Sequence, residues 1–118
     1  MNKHQRAAQL WSLLILAAQT QRVLSYRGIE SMTGIARQGV GDFLGPIQDY
    51  CKRNDFPPLT ALVINEGTGM PGVGFTGAPE TDVFKAQARC FVFDWTGPGR
   101  QAPSPDDFAA LAPGKPSV

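Results

Sequence analysis

Apolar residues return at helical spacing in three long stretches of the chain, and a fourth, shorter apolar run breaks that spacing. From Lys3 to Thr20, the residues Ala7, Leu10, Trp11, Leu14, Ile15 and Ala18 fall at i, i+3, i+4, i+7, i+8 and i+11. Leu13 and Leu16 lie on other faces, so this helix is apolar around more than half its circumference. It is expected to be buried on two sides or to self-associate as a homodimer. The second stretch, Ala36 to Arg53, sets Val40, Phe43, Leu44, Ile47 and Cys51 on one face. Gln38, Asp42, Gln48, Asp49 and Lys52 form the other. Pro46 lies inside it, and a proline there removes a backbone donor and crowds the carbonyl four residues back. Because the apolar stripe continues without a change of phase, one bent helix over Gln38 to Asn54 is expected, rather than a turn followed by a helix starting at Gly45 and Pro46. Gly39, Gly41 and Gly45 weaken that helix, which points to close approach by another backbone or by a ligand.

The third stretch, Glu80 to Trp95, spaces Val83, Phe84, Ala88, Phe91 and Trp95 as a helix, although Cys90-Phe91-Val92-Phe93 alone could be a buried strand. Its length favours helix, and Glu80 and Asp82 suit the positive end. The fourth run, Leu59 to Ile64, is short and β-rich, and it reads as a buried strand entered through Pro57-Pro58. Asn65 to Gly69 is turn chemistry, and Met70 to Phe75 is expected to return along the strand as the second arm of a hairpin.

Shorter signals complete the order. Arg22 to Tyr26 reads as extended, with Ser25 as N-cap of a helix over Tyr26 to Met32 that stops at Gly34. Glu30 stands five residues past Ser25 rather than three, so no capping box is expected. Ser104-Pro105-Asp106-Asp107 starts a last short helix that docks Phe108 and Leu111. The expected architecture is therefore α+β, mainly helical: a winged helix-turn-helix with a β-hairpin wing and an added C-terminal helix. Residues 1–111 form one domain, and 112–118 form a flexible tail.

Composition narrows the chemistry. With 118 residues, 42% hydrophobic and 18% charged, the chain can build one core without metal or disulfide staples. A net charge of +1 gives no general attraction for nucleic acid, so any DNA contact must come from a local patch. Cys51 and Cys90 sit among apolar neighbours with no C-x-x-C spacing, which argues for core thiols and no metal site. His4, the one histidine, lies at an end expected to fray, so a Ser-His or Cys-His catalytic pair is not supported. Leu10 to Ala18 is too short to span a membrane, and the small-residue cleavage pattern behind it is poor, so cytoplasmic residence is expected.

Ser25-Tyr26 before a helix, Thr33-Gly34 at its end, Arg37 followed by Val40-Gly41 and Leu44, then Val63-Ile64-Asn65 and a glycine turn follow one familiar order. In that order the segment Ser25 to Gly69 resembles the DNA-binding domain of O6-alkylguanine DNA alkyltransferases and alkyltransferase-like proteins. In that family a Pro-Cys-His-Arg motif leads into the apolar pair matched here by Val63-Ile64, which would put the nucleophilic cysteine at Thr60. Here the run is Leu59-Thr60-Ala61-Leu62, with neither nucleophile nor base, so alkyl transfer is excluded and no enzymatic activity or cofactor is expected.

The resemblance implies that the second helix docks on double-stranded DNA. Arg37 would stand near the base stack, and Gln38, Gln48, Lys52 and Arg53 would face base edges or phosphates. Amides of Gly39 and Gly41 could meet a phosphate. Asn65, Gly67, Thr68 and Gly69 would form the tip of the wing. Against DNA stand Asp42 and Asp49 on the same face. The glycine turn lacks the Lys-Ser/Thr ending of a phosphate-binding loop. Two readings follow: a non-catalytic DNA-binding protein, or a protein-protein interaction module of the same fold, such as a small accessory or inhibitory protein of a mobile element. Clustering of Arg27, Arg37, Lys52 and Arg53 in one stripe would favour the first. Their scatter, or pairing with Glu30, Asp42 and Asp49, would favour the second.

Overall fold

In the computed structural model, residues 1–111 are described, and the expected tail, 112–118, lies outside them. The order is α1 (Lys3–Gln19), β1 (Leu24–Ser25), α2 (Tyr26–Thr33), α3 (Val40–Arg53), β2 (Val63–Ile64), α4 (Val83–Val92) and α5 (Pro105–Ala109). Single 3₁₀ turns cover Arg37–Gly39, Leu59–Leu62 and Glu80–Asp82. The chain is thus α+β and mainly helical, as its periodicities require.

The start of α1, expected to fray, carries a cap. Asn2 accepts from the Gln5 amide at 2.9 Å while the Gln5 side chain accepts from the Asn2 amide at 2.9 Å, a reciprocal cap that closes the helix start. The breadth of apolar surface on α1 has an internal explanation. It packs on α3, α4, α5 and the 59–62 turn, and Ala7, Leu10, Leu14 and Ala18 are fully buried. Leu16 is the one large apolar residue of α1 left mostly exposed, at 57%.

Aromatic rings close the far side of this helix. Trp11 meets Tyr50 edge-on at 5.4 Å and Trp95 at 5.8 Å, and Phe108 of α5 packs against both Trp11 and Tyr50. Such edge contacts add to the area each ring buries. Ser104 caps α5, and Asp107 answers it from the third position, so this five-residue helix is held by its cap and by one buried ring. Trp95 also ends α4, because its indole Nε1 donates to the Cys90 carbonyl at 2.8 Å. The helix expected over Glu80 to Trp95 is accordingly shorter, a 3₁₀ turn followed by Val83–Val92.

The helix–turn–helix segment follows expectation closely. Ser25 Oγ accepts from the Gly28 amide at 2.9 Å, and Gly34 ends α2 with φ of 77°, a conformation open to glycine. α3 continues through Pro46 without interruption and turns Val40, Leu44, Ile47 and Cys51 into the core.

Two expectations fail between α3 and α4. The run Leu59 to Leu62 is a buried 3₁₀ turn rather than a strand, and only Val63–Ile64 pairs, parallel to Leu24–Ser25. The cause lies in the partner: in this parallel register Leu59–Leu62 would face Thr20–Val23, and there the Gln21 and Arg22 amides donate back to Ala18 and Ala17 at the end of α1, so the ladder cannot extend that way. The backbone of 59–62 is satisfied locally instead, with Ala61 N–H donating to Pro58 and the buried Gln87 side chain donating to the Ala61 carbonyl at 2.9 Å. The expected hairpin is also absent. Residues 65–70 close on themselves, Asn65 N–H donating to the Met70 carbonyl at 2.8 Å and the Thr68 and Gly69 amides donating back to Asn65. Pro71 then has no donor to continue a ladder, and Met70 to Phe75 is irregular.

Candidate functional site

The segment expected to be the returning arm of a wing instead crosses over α3 as a strap. Three side-chain bonds pin it. The Gly72 amide donates to the Tyr26 hydroxyl at 3.1 Å, Gln48 Nε2 donates to the Gly74 carbonyl at 3.2 Å, and the Thr76 amide donates to Gln48 Oε1 at 2.8 Å. Gly72 is required by this approach, since a Cβ there would stand 2.5 Å from the Tyr26 hydroxyl oxygen. Between the pins, Val73 is fully exposed.

Beneath the strap lies a groove of about 360 Å³. α3 supplies Gly41, Leu44, Gly45 and Gln48 to one wall, and Arg37 and Gln38 stand where the preceding turn enters it. Tyr26 and the strap form the other wall, and Thr60 also lines the cavity. Close approach by another backbone does not explain the glycines of α3. A Cβ at Gly39, Gly41 or Gly45 would meet nothing within 4 Å, so at Gly41 and Gly45 the missing side chains leave the groove open.

Thr60 is the anomaly of this site. It is 3% exposed, and its Oγ1 has no hydrogen-bond partner. A buried hydroxyl left unpaired costs about 1–3 kcal/mol relative to one that is bonded.

The expected DNA-binding residues divide into two groups. Arg37, Gln38, Gly41, Gln48 and Asn65 come together around the groove. Gln48 is engaged in holding the strap, so its amide is not available to read bases in the manner expected. The Gly39 amide is likewise taken, donating to the Ala36 carbonyl at 2.8 Å. Gly67 lines a neighbouring open cleft with Tyr26, Arg27, Arg37, Asn65 and Glu66. Thr68 and Gly69 belong to the closed 65–70 loop, which takes the place of the expected wing tip. Lys52 and Arg53 lie at the opposite end of α3, roughly 20 Å from its start at 1.5 Å per residue.

The positive charges therefore do not form one stripe. Arg27 and Arg37 share the cleft at one end of α3, and Arg37 is paired: its Nη2 and Nε donate to Glu30 Oε1 at 2.8 and 3.0 Å, and its amide donates to Glu30 Oε2 at 3.1 Å. This holds the Glu30 carboxyl below its ordinary pKa, through the Arg37 amide first and the guanidinium second. Asp42 is exposed, with no ion pair among the described residues.

Other candidates for chemistry are occupied by structure. Cys51 and Cys90 are buried thiols whose pKa is pushed up to about 12 by loss of solvent, so both stay protonated and unreactive. His4 lines a separate shallow cleft with Asp49, Pro46 and Phe108. Among the described residues, no three His, Cys, Asp or Glu side chains converge as a metal site, and no helix is long and apolar enough to cross a membrane. Comparison with known proteins finds no matching family model, no matching curated protein and no matching solved structure.

Sequence reasoning anticipated α3 and Arg37 but missed the strap, the anchoring role of Tyr26, and Thr60. The signal for Thr60 was visible: it is the single polar residue in the run Leu59-Thr60-Ala61-Leu62-Val63-Ile64.

Proposed function

We propose that this chain is a non-catalytic DNA-binding protein that docks its helix-turn-helix on duplex DNA and receives one extruded base in the groove beneath the strap. The observation that carries this reading is the gathering of Arg37, Gln38, Gly41 and Asn65 around a single cavity beside the start of α3. A volume of about 360 Å³ lies within the range of small-ligand pockets and suits one planar ring. Arg37 at the groove and Arg27 in the neighbouring cleft supply the local positive charge for the flanking phosphates that the net charge of the chain does not. The ion pair of Arg37 with Glu30 is solvent-exposed and can exchange for a phosphate, because such surface pairs are weakly held. Resemblance to the alkyltransferase-like DNA-binding domain agrees with this placement, and Thr60 at the position of the nucleophile agrees with binding without alkyl transfer.

The scatter of the positive charges and the pairing of Arg37 with Glu30 favour a second reading, a protein-interaction module. Fluorescence anisotropy with a labelled random duplex at two salt concentrations separates the two. DNA binding predicts salt-sensitive association that the Arg27→Ala, Arg37→Ala double variant weakens and the Lys52→Ala, Arg53→Ala double variant affects less. No binding at about 10 μM in low salt, short of the usual non-specific range, would refute the DNA reading.

A further inference from the structure

Resting on the proposed DNA reading, we infer that Thr60 is the specificity-determining residue of the groove, its hydroxyl supplying a hydrogen bond to the edge of the ring that enters. Three observations lead to this residue. Thr60 lines the cavity, is almost fully buried, and keeps an Oγ1 with no partner in the protein. The backbone around it is satisfied, since the Val63 amide donates to the Thr60 carbonyl and the Gln87 side chain donates to that of Ala61. Only the hydroxyl is left over. Valine or alanine would suit the surrounding apolar packing better if nothing bonded there, because neither leaves a buried polar atom unpaired.

A hydroxyl both donates and accepts, and rotation about χ1 exchanges it with the methyl group, so it can meet a ring nitrogen, a carbonyl or an amino group. It offers nothing to an apolar ring of the same outline. The groove should therefore select a ring by its hydrogen-bonding edge as well as by its shape. The selection is worth about one hydrogen bond, because the hydroxyl is already out of contact with water and an entering ring without polar atoms leaves it as it was.

The test uses a short duplex with one thymine opposite an abasic site, and the same duplex carrying the thymine-shaped but non-hydrogen-bonding difluorotoluene at that position. Neither ring is paired, so extrusion costs both little. Wild type is expected to bind the thymine duplex about fivefold more tightly, the value of one ordinary hydrogen bond. Thr60→Ser keeps the preference; Thr60→Val and Thr60→Ala, two independent hydroxyl-free variants, bind both duplexes equally. Thermal melting of each variant at or above the wild-type temperature accompanies that result, since the change removes an unpaired hydroxyl. If Thr60→Val or Thr60→Ala keeps the preference, or wild type has none while binding both duplexes, the role of Thr60 is overturned and the DNA reading stands. If wild type binds neither duplex, the DNA reading is overturned and this inference with it.

Discussion

Replacing Gly41 with alanine should stabilise the protein while beginning to fill its groove. Gly41 is helical, and a Cβ there would meet no atom within 4 Å, so the added methyl causes no clash. Glycine within a helix is less favourable than alanine by about 0.5–1 kcal/mol, chiefly through backbone entropy. For a domain of this size that gain raises the melting temperature by about 2–5 °C. Gly45 is the informative contrast. It precedes Pro46, and the proline ring clashes with the Cβ and amide of a helical residue before it, so Gly45→Ala should be neutral or destabilising despite equal open space. Gly41→Leu then extends the side chain across the cavity and should weaken duplex binding about tenfold, equal to 1.4 kcal/mol, with the fold intact. Thermal melting followed by anisotropy on the same samples measures both quantities. A fall in melting temperature for Gly41→Ala would refute the helical geometry at this residue. Unchanged duplex binding by Gly41→Leu, with melting at or above wild type, would refute the role of the groove.

Glu30→Gln removes the partner of Arg37 and should strengthen DNA binding and steepen its salt dependence; an unchanged salt slope would mean that Arg37 does not meet phosphate. Because the folded pKa of Glu30 lies below its unfolded value, its stabilising contribution is complete above the unfolded pKa and is lost as pH falls through the folded one. Acid titration of the Glu30→Gln variant by circular dichroism should therefore show less loss of stability on that limb than wild type. Phe108→Ala should destabilise by about 3–5 kcal/mol, since a fully buried ring is deleted beside Trp11 and Tyr50 and α5 has no other fully buried side chain to hold it; chemical denaturation measures this. Cys51 and Cys90 should resist a thiol-reactive dye in the native state at neutral pH and react only on unfolding, because burial keeps both thiols protonated.

How far the sequence reveals this molecule depends on whether a segment is specified locally. α1, α2 and α3 are. Each combines a stripe of apolar residues with a cap, at Asn2, Ser25 and Gly34, or with a turn leading in, and their bounds differ from the periodicity by a residue or two. The run Leu59 to Ile64 is specified by its partner. A β-rich sequence cannot form a strand where only Leu24–Ser25 is free to pair, and for 59–62 that limit comes from the end of α1, far away in sequence. The same holds for the strap. Glycine and proline at Pro71, Gly72 and Gly74 read locally as a hairpin tip, but its course is set by Tyr26 and Gln48, residues contributed by other elements. Pairing of Arg37 with Glu30 could be named from the sequence as one alternative, but which alternative holds depends on how the turn after α2 sets the two residues together.

Several departures from local stability meet at one place. Gly41 and Gly45 each cost α3 helix propensity, and Pro46 deprives it of a backbone bond. Thr60 leaves a hydroxyl unpaired. Gly41, Gly45 and Thr60 line one cavity, and Pro46 adjoins it in sequence. Away from the groove the chain keeps reciprocal caps on α1 and α5, glycine at the left-handed end of α2, and Gln87 bonded to the Ala61 carbonyl, although Gln21 and Asp55 hold a φ of 56° that favours glycine. A sequence that keeps local rules across its core and breaks several of them along one wall is a sequence whose wall is kept for contact with something else. Packing does not account for the empty space above Gly41 and Gly45, because a methyl group would fit there and stabilise the helix at Gly41. On the proposed reading binding does, and it accounts for Thr60 by the same step: both the open space and the spare hydrogen bond would be completed by a single planar guest.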